Sequence, residues 1–574
     1  MSVITTGSRS IRSSLLQTTL KSKLTERERP KVRFTFPHTK KVRQILQDYA
    51  NKCNVREFEN LVCLIRDSHL HDEDISALLS EATQCISLLN HDLRLFVEVI
   101  LLIKWVSYSD AVVSEYQSFI INLLSAHNYH AKFAIDTLIS NFLSAPEAPD
   151  WPDGVPQIEE LKRSINVHCV INSLLNIIPM CQDILLQSLI AHYPYFKKSS
   201  HTHEVYLYNL LCILDYRPQL RPDIFHLIFS KLVLLDVNAP RKDIEKCENV
   251  VDDTIFEIED KNFHCDKMKH PVAHTLDICL FKILNHFMML TQESGEFNLE
   301  KTKKLYHEVL SVFDQVILPT YNIHHVPFIM FFLCSLKTSI SEAFLNFLWR
   351  KVCNPNVASI HRHTAISYIA SLIARGSFIP LYMIKGTLQQ IAEWIHLYIL
   401  TQDEHGCINS DIRIHIVFYS VCQAFFYIIA FRHKDLVNKK KDIIFLESLN
   451  LSKIVTCSLN PLHVCQPEIV QNFASVTRTH QLAYCYAIIE HNSRNTLPTI
   501  YQDEKGTVMI LNNTLDSFFP FDPFILKKSK EIIEPFYMYY QPNSEVLADE
   551  SEMVEKDDFL TYGASPGFKH SHYI

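Results

Sequence analysis

The chain has 574 residues, of which 47% are hydrophobic and 21% are charged, and its formal net charge at pH 7 is -8. A chain of this length and apolar content can bury one long core or several compact ones, which excludes a fully disordered protein. The negative charge gives no general attraction to nucleic-acid phosphate, so any basic contact has to be local.

Residues 1–43 form a basic arm. They carry eleven Lys and Arg residues against two Glu, are rich in Ser and Thr, and show little helical period before Val42. This composition is typical of a solvated, disordered segment. We expect the arm to make a weak, salt-dependent contact with nucleic acid or an acidic partner. The first residues lack the apolar core of a secretory signal.

From residue 44 to 540, apolar residues recur at spacings of three and four, which is the period of an amphipathic helix. Connectors with Pro, Asn or Asp separate the apolar blocks, and strand-like alternation is missing. The sequence therefore predicts an all-α fold. The clearest predicted helical blocks are Ile75–Leu89, Leu93–Val106, Ser114–Leu124, Phe133–Leu143, Leu174–Ile190, Val205–Leu214, Ile224–Leu235, Leu276–Leu290 and Thr302–Val316.

Successive blocks pair with a period of about 40 residues, the length of a HEAT or armadillo unit, although no repeated residue signature fixes the register. Such helix pairs cannot bury both apolar faces alone, so they stack and expose long surfaces for partners. We therefore expect a HEAT-repeat-like α-solenoid of antiparallel helix pairs over residues 44–540. A compact helical-bundle enzyme is the alternative.

A basic, hydroxyl-rich connector occupies residues 194–206. It reads Pro-Tyr-Phe-Lys-Lys-Ser-Ser-His-Thr-His-Glu-Val-Tyr and has no acid before Glu204. Pro194 follows one helix, and Ser200 or Thr202 is an N-cap candidate for the next helix, expected to begin near Glu204. The lysines favour the C-terminal dipole of the preceding helix. Because a helix has one N-cap residue, at least two hydroxyls are left over.

The remaining hydroxyls allow two interpretations. In one, the connector only caps helices. In the other, it is a docking patch that phosphorylation closes, because a phosphate adds about -1.5 to -2 charges. This candidate patch consists of Lys197, Lys198, Ser199, Ser200 and Thr202, with Ser199 and Ser200 as candidate phosphorylation sites.

Two acidic segments interrupt the helical pattern. The first covers residues 241–269 and shows no helical period, so we expect a mobile loop that is dispensable for folding. The second is the tail 541–574, expected to be flexible. In the tail, Ser565 precedes Pro566 and is a further candidate phosphorylation site.

Long apolar runs and metal-type residues do not indicate a membrane span or a metal site. The run Ile416–Phe431 is interrupted by Ser420 and Gln423 and is shorter than the ~20 apolar residues that a bilayer requires, so we interpret it as a buried core helix. The 29 histidines lack His-Glu-x-x-His spacing, and no Cys-x-x-Cys occurs among the 16 cysteines, which we expect to be reduced thiols.

Glycine is scarce, with nine residues in the chain, and the closest pair is Gly563 and Gly567 in the tail. Phosphate-cradling loops need closely spaced glycines, so a nucleotide-binding core is not expected. A Gly-x-Ser-x-Gly nucleophile elbow is also missing. We expect neither a cofactor nor an enzymatic activity.

Several stretches resemble the TIF-IA family of RNA polymerase I-specific transcription initiation factors over nearly all of residues 40–540. The most specific is Leu515-Asp-Ser-Phe-Phe-Pro-Phe-Asp-Pro523. Its pattern of aromatic and proline residues is not explained by the periodicity of a helix. The other stretches are 231–239 (KLVLLDVNA), 270–277 (HPVAHTLD), 331–335 (FFLCS), 342–345 (EAFL), 368–375 (YIASLIAR), 378–381 (FIPL), 418–424 (FYSVCQA), 431–434 (FRHK), 459–462 (LNPL) and 488–490 (IIE).

The resemblance implies a HEAT-repeat protein without catalytic activity, located in the nucleus and nucleolus. Members of the family bind free RNA polymerase I at its stalk subunits and bridge it to the promoter-bound selectivity factor. Regulatory kinases act on them, and their polymerase-docking face includes a serine-containing patch in the N-terminal half, where Ser199 and Ser200 lie. An acidic loop matching residues 245–260 is also a family feature. A homodimer of the free factor is a further expectation.

The main alternative function is a nuclear transport or chromatin adaptor built on the same helical array. Such a protein would also lack glycine loops and metal sites. Co-purification of polymerase I subunits would support the initiation factor, whereas cargo or a small GTPase would support the adaptor.

Overall fold

The structure, a computed structural model, describes residues 41–67, 70–143, 151, 154–249, 267–293, 295–321, 323–404, 412–495, 500–502, 508–510, 515 and 518–540. Within this part the chain is almost entirely helical, so the predicted all-α class is confirmed. Most of the arm 1–43, the middle of the acidic segment and the tail 541–574 lie outside the described residues.

The α-helices, in chain order, are α1 Val42–Ala50, α2 Val55–Asp67, α3 Asp72–Gln84, α4 Arg94–Leu101, α5 Asp110–Ala126, α6 Ala131–Ser140, α7 Ile158–Ile177, α8 Cys181–Ala191, α9 Ser200–Tyr216, α10 Arg221–Val237, α11 Arg241–Asn249, α12 Pro271–Thr291, α13 Leu299–Val312, α14 Phe328–Leu336, α15 Thr338–Cys353, α16 Ser359–Arg375, α17 Leu381–Glu404, α18 Ile416–Phe431, α19 His433–Leu436, α20 Lys440–Ser448, α21 Leu451–Val455, α22 Pro461–Val464, α23 Pro467–Thr479, α24 Tyr486–Asn495 and α25 Lys530–Ile533. Short 3₁₀ turns occur at Ile86–Leu88, His91–Leu93, Trp105–Ser107, Asn128–His130, Pro218–Leu220 and Glu534–Phe536, and a π turn at Phe313–Ile317.

The chain divides into two compact units. The first comprises residues 1–139 and 162–188, and the second comprises residues 140–161 and 189–574. In the first unit, the Trp105 and Tyr116 rings stack 4.7 Å apart, and the Tyr116 hydroxyl donates to the Leu101 carbonyl. In the second unit, helices close in sequence pack together, with α16 against α15 and α18. This neighbour-to-neighbour packing is typical of HEAT-like repeats.

The run 416–431 is a buried core helix, as predicted. Every residue from Val417 to Phe431 in α18 is buried. Another prediction is wrong: the block Leu174–Ile190 is not one helix. It is divided between α7 and α8 at Pro179, whose ring removes a backbone donor and ends the helical ladder.

The acidic segment 241–269 is not a loop throughout, which corrects the prediction for its first part. Residues 241–249 form α11, in which Ile244 is 1% exposed and Arg241 lies 2.7 Å from Glu245 one turn later. Glu248 accepts from the Lys269 amide and lies 2.9 Å from Lys527 Nζ. The single buried isoleucine and these charge pairs anchor α11. Removing it should therefore destabilise the fold, and residues 250–266 lie outside the described part.

One boundary and two hairpins also differ from the prediction. The first helix begins at Val42, which is 4% exposed, so the helical region starts before residue 44. Short antiparallel strands pair β1 Gln292–Glu293 with β2 Glu296–Phe297, and β3 Ile500–Gln502 with β4 Val508–Ile510. Strands of two or three residues are too short to give a visible alternation in sequence.

A C-terminal strap, residues 518–540, packs across the helices of the second unit. The Phe521 ring lies 5.4 Å from Phe328 and 5.2 Å from Phe331. Arg375, which is fully buried, donates to Asp522 at 3.0 Å. The strap therefore contributes both aromatic rings and a charged pair to the core.

Candidate docking surface

The connector before α9 places a cap at its end. The Ser199 side chain accepts from the Thr202 amide, and the Ser199 and Thr202 hydroxyl oxygens lie 2.7 Å apart. The helix begins at Ser200, not near Glu204, because Ser199 supplies the N-cap that starts it. The N-cap is therefore Ser199, and the prediction of Ser200 or Thr202 as the cap was wrong, while the Thr202 hydroxyl is hydrogen-bonded to Ser199.

The connector also presents charge to solvent. Lys197 and Lys198 are exposed, and Tyr195 keeps 60% of its surface exposed. Ser199 and Ser200 are half-buried at the same edge. The edge is therefore a small basic and aromatic surface with hydroxyls at its margin, which is a suitable composition for an acidic partner surface.

Contacts with α9 and α10 hold the rest of the connector in place. His203 Nε2 lies 3.1 Å from the Tyr195 carbonyl oxygen, and the Tyr206 hydroxyl donates to the Leu189 carbonyl at 2.7 Å. Lys231 Nζ of α10 lies 5.3 Å from the centre of the Tyr193 ring. Because these contacts hold the backbone on both sides of the lysines, the basic edge has a defined position on the second unit.

A buried cluster of charged and aromatic residues lies beside α9, the helix that follows the connector. Lys282 of α12 lies 3.5 Å from the Glu204 carboxylate, donates to the Gly154 carbonyl at 2.8 Å, and sits 4.6 Å above the Trp151 ring. The Trp151 indole donates in turn to Glu160 at 2.7 Å. Through these five residues, named the Lys282 junction, Trp151, Gly154 and Glu160 are connected to α9 and α12.

Burial dominates the electrostatics of the Lys282 junction. It lowers the pKa of Lys282 despite the neighbouring Glu204, and it raises the pKa of the Cys279 thiol one turn earlier. A buried charge is tolerated when it is paired and hydrogen-bonded, and Lys282 meets both conditions. The junction therefore supports the first turns of α9, which follow the connector.

His203 is expected to make the folding stability of the protein depend on pH. Burial lowers its pKa to about 4, whereas an unfolded histidine titrates near about 6.5. The unfolded state therefore binds an extra proton between these values, and stability falls as the pH drops through that window, by at most about 1.4 kcal/mol per pH unit. We expect His203→Gln to reduce the difference in melting temperature between pH 7 and pH 5.

The matched control is His91→Gln, because His91 is exposed. Its melting-temperature difference should equal that of the unmodified chain. An unchanged difference in the His203→Gln protein would show that His203 does not contribute to acid sensitivity.

Gly154 permits a second prediction about the Lys282 junction. Its φ is +67°, and an added Cβ would lie 3.7 Å from Glu204 Oε1, so Gly154→Ala introduces backbone strain without a clash. We expect a loss of about 1–2 kcal/mol in the free energy of unfolding. Gly386→Ala is the control, since Gly386 lies inside α17 with open space around it, and alanine there should stabilise by about 0.5–1 kcal/mol. Denaturant unfolding measures the stability of both variants. Equal effects of the two substitutions would show that the positive φ of Gly154 does not require glycine.

The structure brings four of the five predicted patch residues to one surface edge and separates the fifth. Thr202 is 7% exposed and bonded to Ser199, so its hydroxyl does not belong to a docking surface, and its inclusion in the patch was wrong. Thr202 is the third residue of α9, and at this position the side chain is buried. Ser565 lies outside the described residues.

Sequence reasoning missed the Lys282 junction. Its signal was present: Lys282 lies inside the predicted helical block Leu276–Leu290 and Glu204 directly precedes the block Val205–Leu214. Charged residues in such positions are rarely buried without a partner. The two residues are 78 positions apart in sequence, so the pairing itself could not be predicted.

The described residues contain no group of three or more His, Cys, Asp or Glu side chains arranged to hold a metal ion. Across the same part of the chain, no helix has both the length and the apolar character needed to cross a bilayer. The candidate surface is therefore described by charge and exposure alone.

Comparisons with known proteins cover almost the whole helical region. The model of the RRN3 family, described as RNA polymerase I specific transcription initiation factor RRN3, matches residues 38–545. The chain is 35% identical to the RNA polymerase I-specific transcription initiation factor RRN3 of Mus musculus, over 92% of this chain and 87% of the mouse protein. It is 26% identical to the rrn3 factor of Schizosaccharomyces pombe, over 85% and 84% of the two chains.

A solved crystal structure of the RNA polymerase I transcription initiation factor Rrn3 is similar in fold. The TM-score is 0.69 at 19% sequence identity, and the match covers 87% of this chain and 97% of the other. At this identity the likeness supports the fold alone, and it agrees with the all-α architecture described above.

Proposed function

The chain belongs to the RRN3 family of RNA polymerase I specific transcription initiation factors, and on that premise we propose that it binds RNA polymerase I and bridges it to the promoter-bound selectivity factor. Family membership over residues 38–545 carries this proposal. The match favours an initiation factor over the alternative of a nuclear transport or chromatin adaptor. In the same proposal the protein acts as a scaffold without catalysis, in the nucleus and its nucleolus.

The polymerase-binding part of the proposal is assigned to the basic edge before α9. The proposed docking edge consists of Lys197, Lys198, Ser199 and Ser200, and the proposed contact on the enzyme is an acidic surface of its stalk subunits. Exposure of both lysines beside Tyr195 supports this assignment. Lysine side chains at the rim of an interface raise the association rate and favour an acidic partner.

Phosphorylation is the proposed control of the docking edge. Ser199 and Ser200 are the N-cap and first residue of α9, where a negative group is favoured by the helix dipole. A phosphate there would leave the helix intact while it cancels the charge of the two lysines. Regulatory kinases are therefore proposed to weaken polymerase binding without unfolding the protein. Control through Ser565, contact of the arm 1–43 with nucleic acid, and a homodimer of the free factor remain further proposals.

Retention of purified RNA polymerases by the immobilised full chain tests the proposal. We expect RNA polymerase I to be retained and RNA polymerase II, at the same concentration and salt, to be lost in the wash. Equal retention of the two enzymes would contradict polymerase I binding. Retention of transport cargo and a small GTPase from nuclear extract, without polymerase I subunits, would favour the adaptor.

A further inference from the structure

A cluster of lysines follows the central helix of the second unit. After α18 ends at Phe431, the chain turns through α19 and reaches α20, and Lys434, Lys439, Lys440 and Lys441 are exposed along this turn. We name these four residues the lysine cluster. Residues 432–442 hold five Lys and Arg against two Asp, so the stretch is locally positive in a chain whose net charge is -8.

The two aspartates in this stretch already have cationic partners. Asp435 lies 3.0 Å from Arg432, and Asp442 lies 2.5 Å from Lys385 of α17 and accepts from the Lys439 amide. Within the described part of the chain, no carboxylate oxygen lies within 4.0 Å of Lys440 Nζ or Lys441 Nζ. The positive charges of Lys440 and Lys441 are therefore left to attract a further acidic group.

The C-terminal strap ends against α18, the helix that precedes this cluster. Tyr540 is the last described residue, and its ring lies 5.4 Å from the ring of Phe431. Its hydroxyl lies 3.5 Å from Asn472 Oδ1 of α23. Phe431 precedes Lys434 by three residues. The last described residue of the strap therefore contacts the end of α18, three residues before Lys434 in sequence.

That segment is strongly acidic. Residues 545–558 carry seven Asp and Glu against the single base Lys556. Eighteen residues lie between Tyr540 and the end of this stretch and can span up to roughly 60 Å when extended. The ten residues from Phe431 to Lys441 span at most roughly 35 Å, so the acidic stretch reaches every member of the cluster.

We propose that residues 545–558 bind the lysine cluster of the same molecule. The tether holds the acidic stretch at an effective concentration on the order of millimolar, which compensates for the weakness of each exposed ion pair. Binding in cis covers the only strongly positive turn that the described part of α18–α20 offers. It also makes the surface inaccessible to other polyanions until salt or a partner displaces the tail.

An acidic segment of the chain fits the cluster better than nucleic acid does. Duplex binding usually requires a longer basic stripe, whereas this cluster has four exposed lysines, and the nearby Arg432 is buried at 3% exposure. The net charge of -8 also repels phosphate at longer range. The acidic tail, in contrast, follows Tyr540, which contacts Phe431 at the end of α18.

Zero-length carbodiimide cross-linking of the full chain tests this binding, because the reagent joins a lysine amine only to a carboxylate in contact with it. We expect monomer-derived peptides in which Lys439, Lys440 or Lys441 is joined to residues 545–558. Their yield should fall at least about threefold between 50 mM and 500 mM salt, since exposed charges are screened.

Two triple variants give a matched comparison. Lys439→Gln with Lys440→Gln and Lys441→Gln should abolish these cross-links. Lys301→Gln with Lys303→Gln and Lys304→Gln removes the same charge from exposed positions on α13 and should leave them unchanged. Both variants should keep the melting temperature of the unmodified chain, because all six lysines are exposed.

Three outcomes would overturn the proposal. Tail cross-links could be spread evenly over lysines of both groups, which would show no preferred site. In a mixture of isotope-labelled and unlabelled chains, they could form mainly between different copies, which would make the contact intermolecular. A 20-base-pair duplex could also bind through the cluster with an affinity unaffected by replacing the seven tail acids with amides, which would make the cluster a nucleic-acid site.

Discussion

Replacing Asp277 by Ala is expected to lower the free energy of unfolding by about 3–5 kcal/mol, because the buried amide and hydroxyl of Ser529 and the half-buried amides of Lys527 and Lys528 lose their acceptor. The Asp277 carboxylate is 1% exposed in α12 and accepts from the amides of Lys527, Lys528 and Ser529, at 3.1, 2.8 and 2.8 Å. The Ser529 hydroxyl donates to it as well. These donors precede α25, so one carboxylate ties the C-terminal strap to a helix about 250 residues earlier.

The melting temperature and amide hydrogen exchange measure this effect. In Asp277→Ala, the amides of Lys527, Lys528 and Ser529 should lose their protection along with the loss of global stability. Ser529→Ala is the control, since it removes one hydroxyl donor and keeps the carboxylate with its three amides, and it should cost only about 1 kcal/mol. Equal effects of the two substitutions would show that the strap is not held by the carboxylate.

Replacing Ser199 and Ser200 together by Asp is expected to weaken the binding of RNA polymerase I at least about tenfold. The two added charges lie beside Lys197 and Lys198 and would cancel their attraction for an acidic partner. Asp is as good an N-cap as Ser, and a second acid in the first turn is favoured by the helix dipole, so α9 and the melting temperature should be preserved. Titration of purified polymerase against the labelled full chain measures the affinity.

The matched control replaces the same two residues by Asn. Asn has nearly the shape of Asp and also caps helices, but it carries no charge. The Asn pair should bind polymerase within about twofold of the unmodified chain, which is a difference of about 0.4 kcal/mol. Replacement by Ala is a poorer control, because loss of the Ser199 cap costs about 1 kcal/mol of stability. Equal affinities of the Asp and Asn pairs would remove these serines from the docking edge.

The helices could be predicted from the sequence wherever an apolar period was long and uninterrupted. The buried helix α18 is an example, since apolar residues occur on all its sides and every residue from Val417 to Phe431 is buried. The prediction failed where the period was short or the segment was charged. Helix α11 has a single buried residue, Ile244, and its polar faces are held by ion pairs that periodicity does not detect.

The family-like stretches contain structural anchors that sequence reasoning did not assign. Asp236 in 231–239 accepts from the backbone amides of His325 and Val326 and lies 2.9 Å from His325 Nδ1. Burial raises the pKa of Asp236, but His325 and the two amides outweigh it and hold that pKa below its usual value. Asp277 lies in 270–277. A buried carboxylate that fixes distant backbone amides explains an acid inside an apolar stretch, but its partners are visible only in three dimensions.

The candidate docking edge was predicted in part. The exposed lysines and the adjoining serines follow from a basic connector between helices, and the structure places Lys197 to Ser200 together at one edge. Thr202 could not be separated from the others by composition. Its burial depends on the position at which α9 begins, and that position depends on which hydroxyl acts as the cap.

Promoter-dependent transcription tests the initiation-factor assignment most directly. Purified RNA polymerase I, the selectivity factor and a ribosomal RNA promoter are combined without any initiation factor of this family, and the full chain is then added. We expect specific transcripts to appear only with the chain, and to remain low when Ser199 and Ser200 are both replaced by Asp. Unchanged transcript levels after addition of the folded chain would contradict its role as an initiation factor.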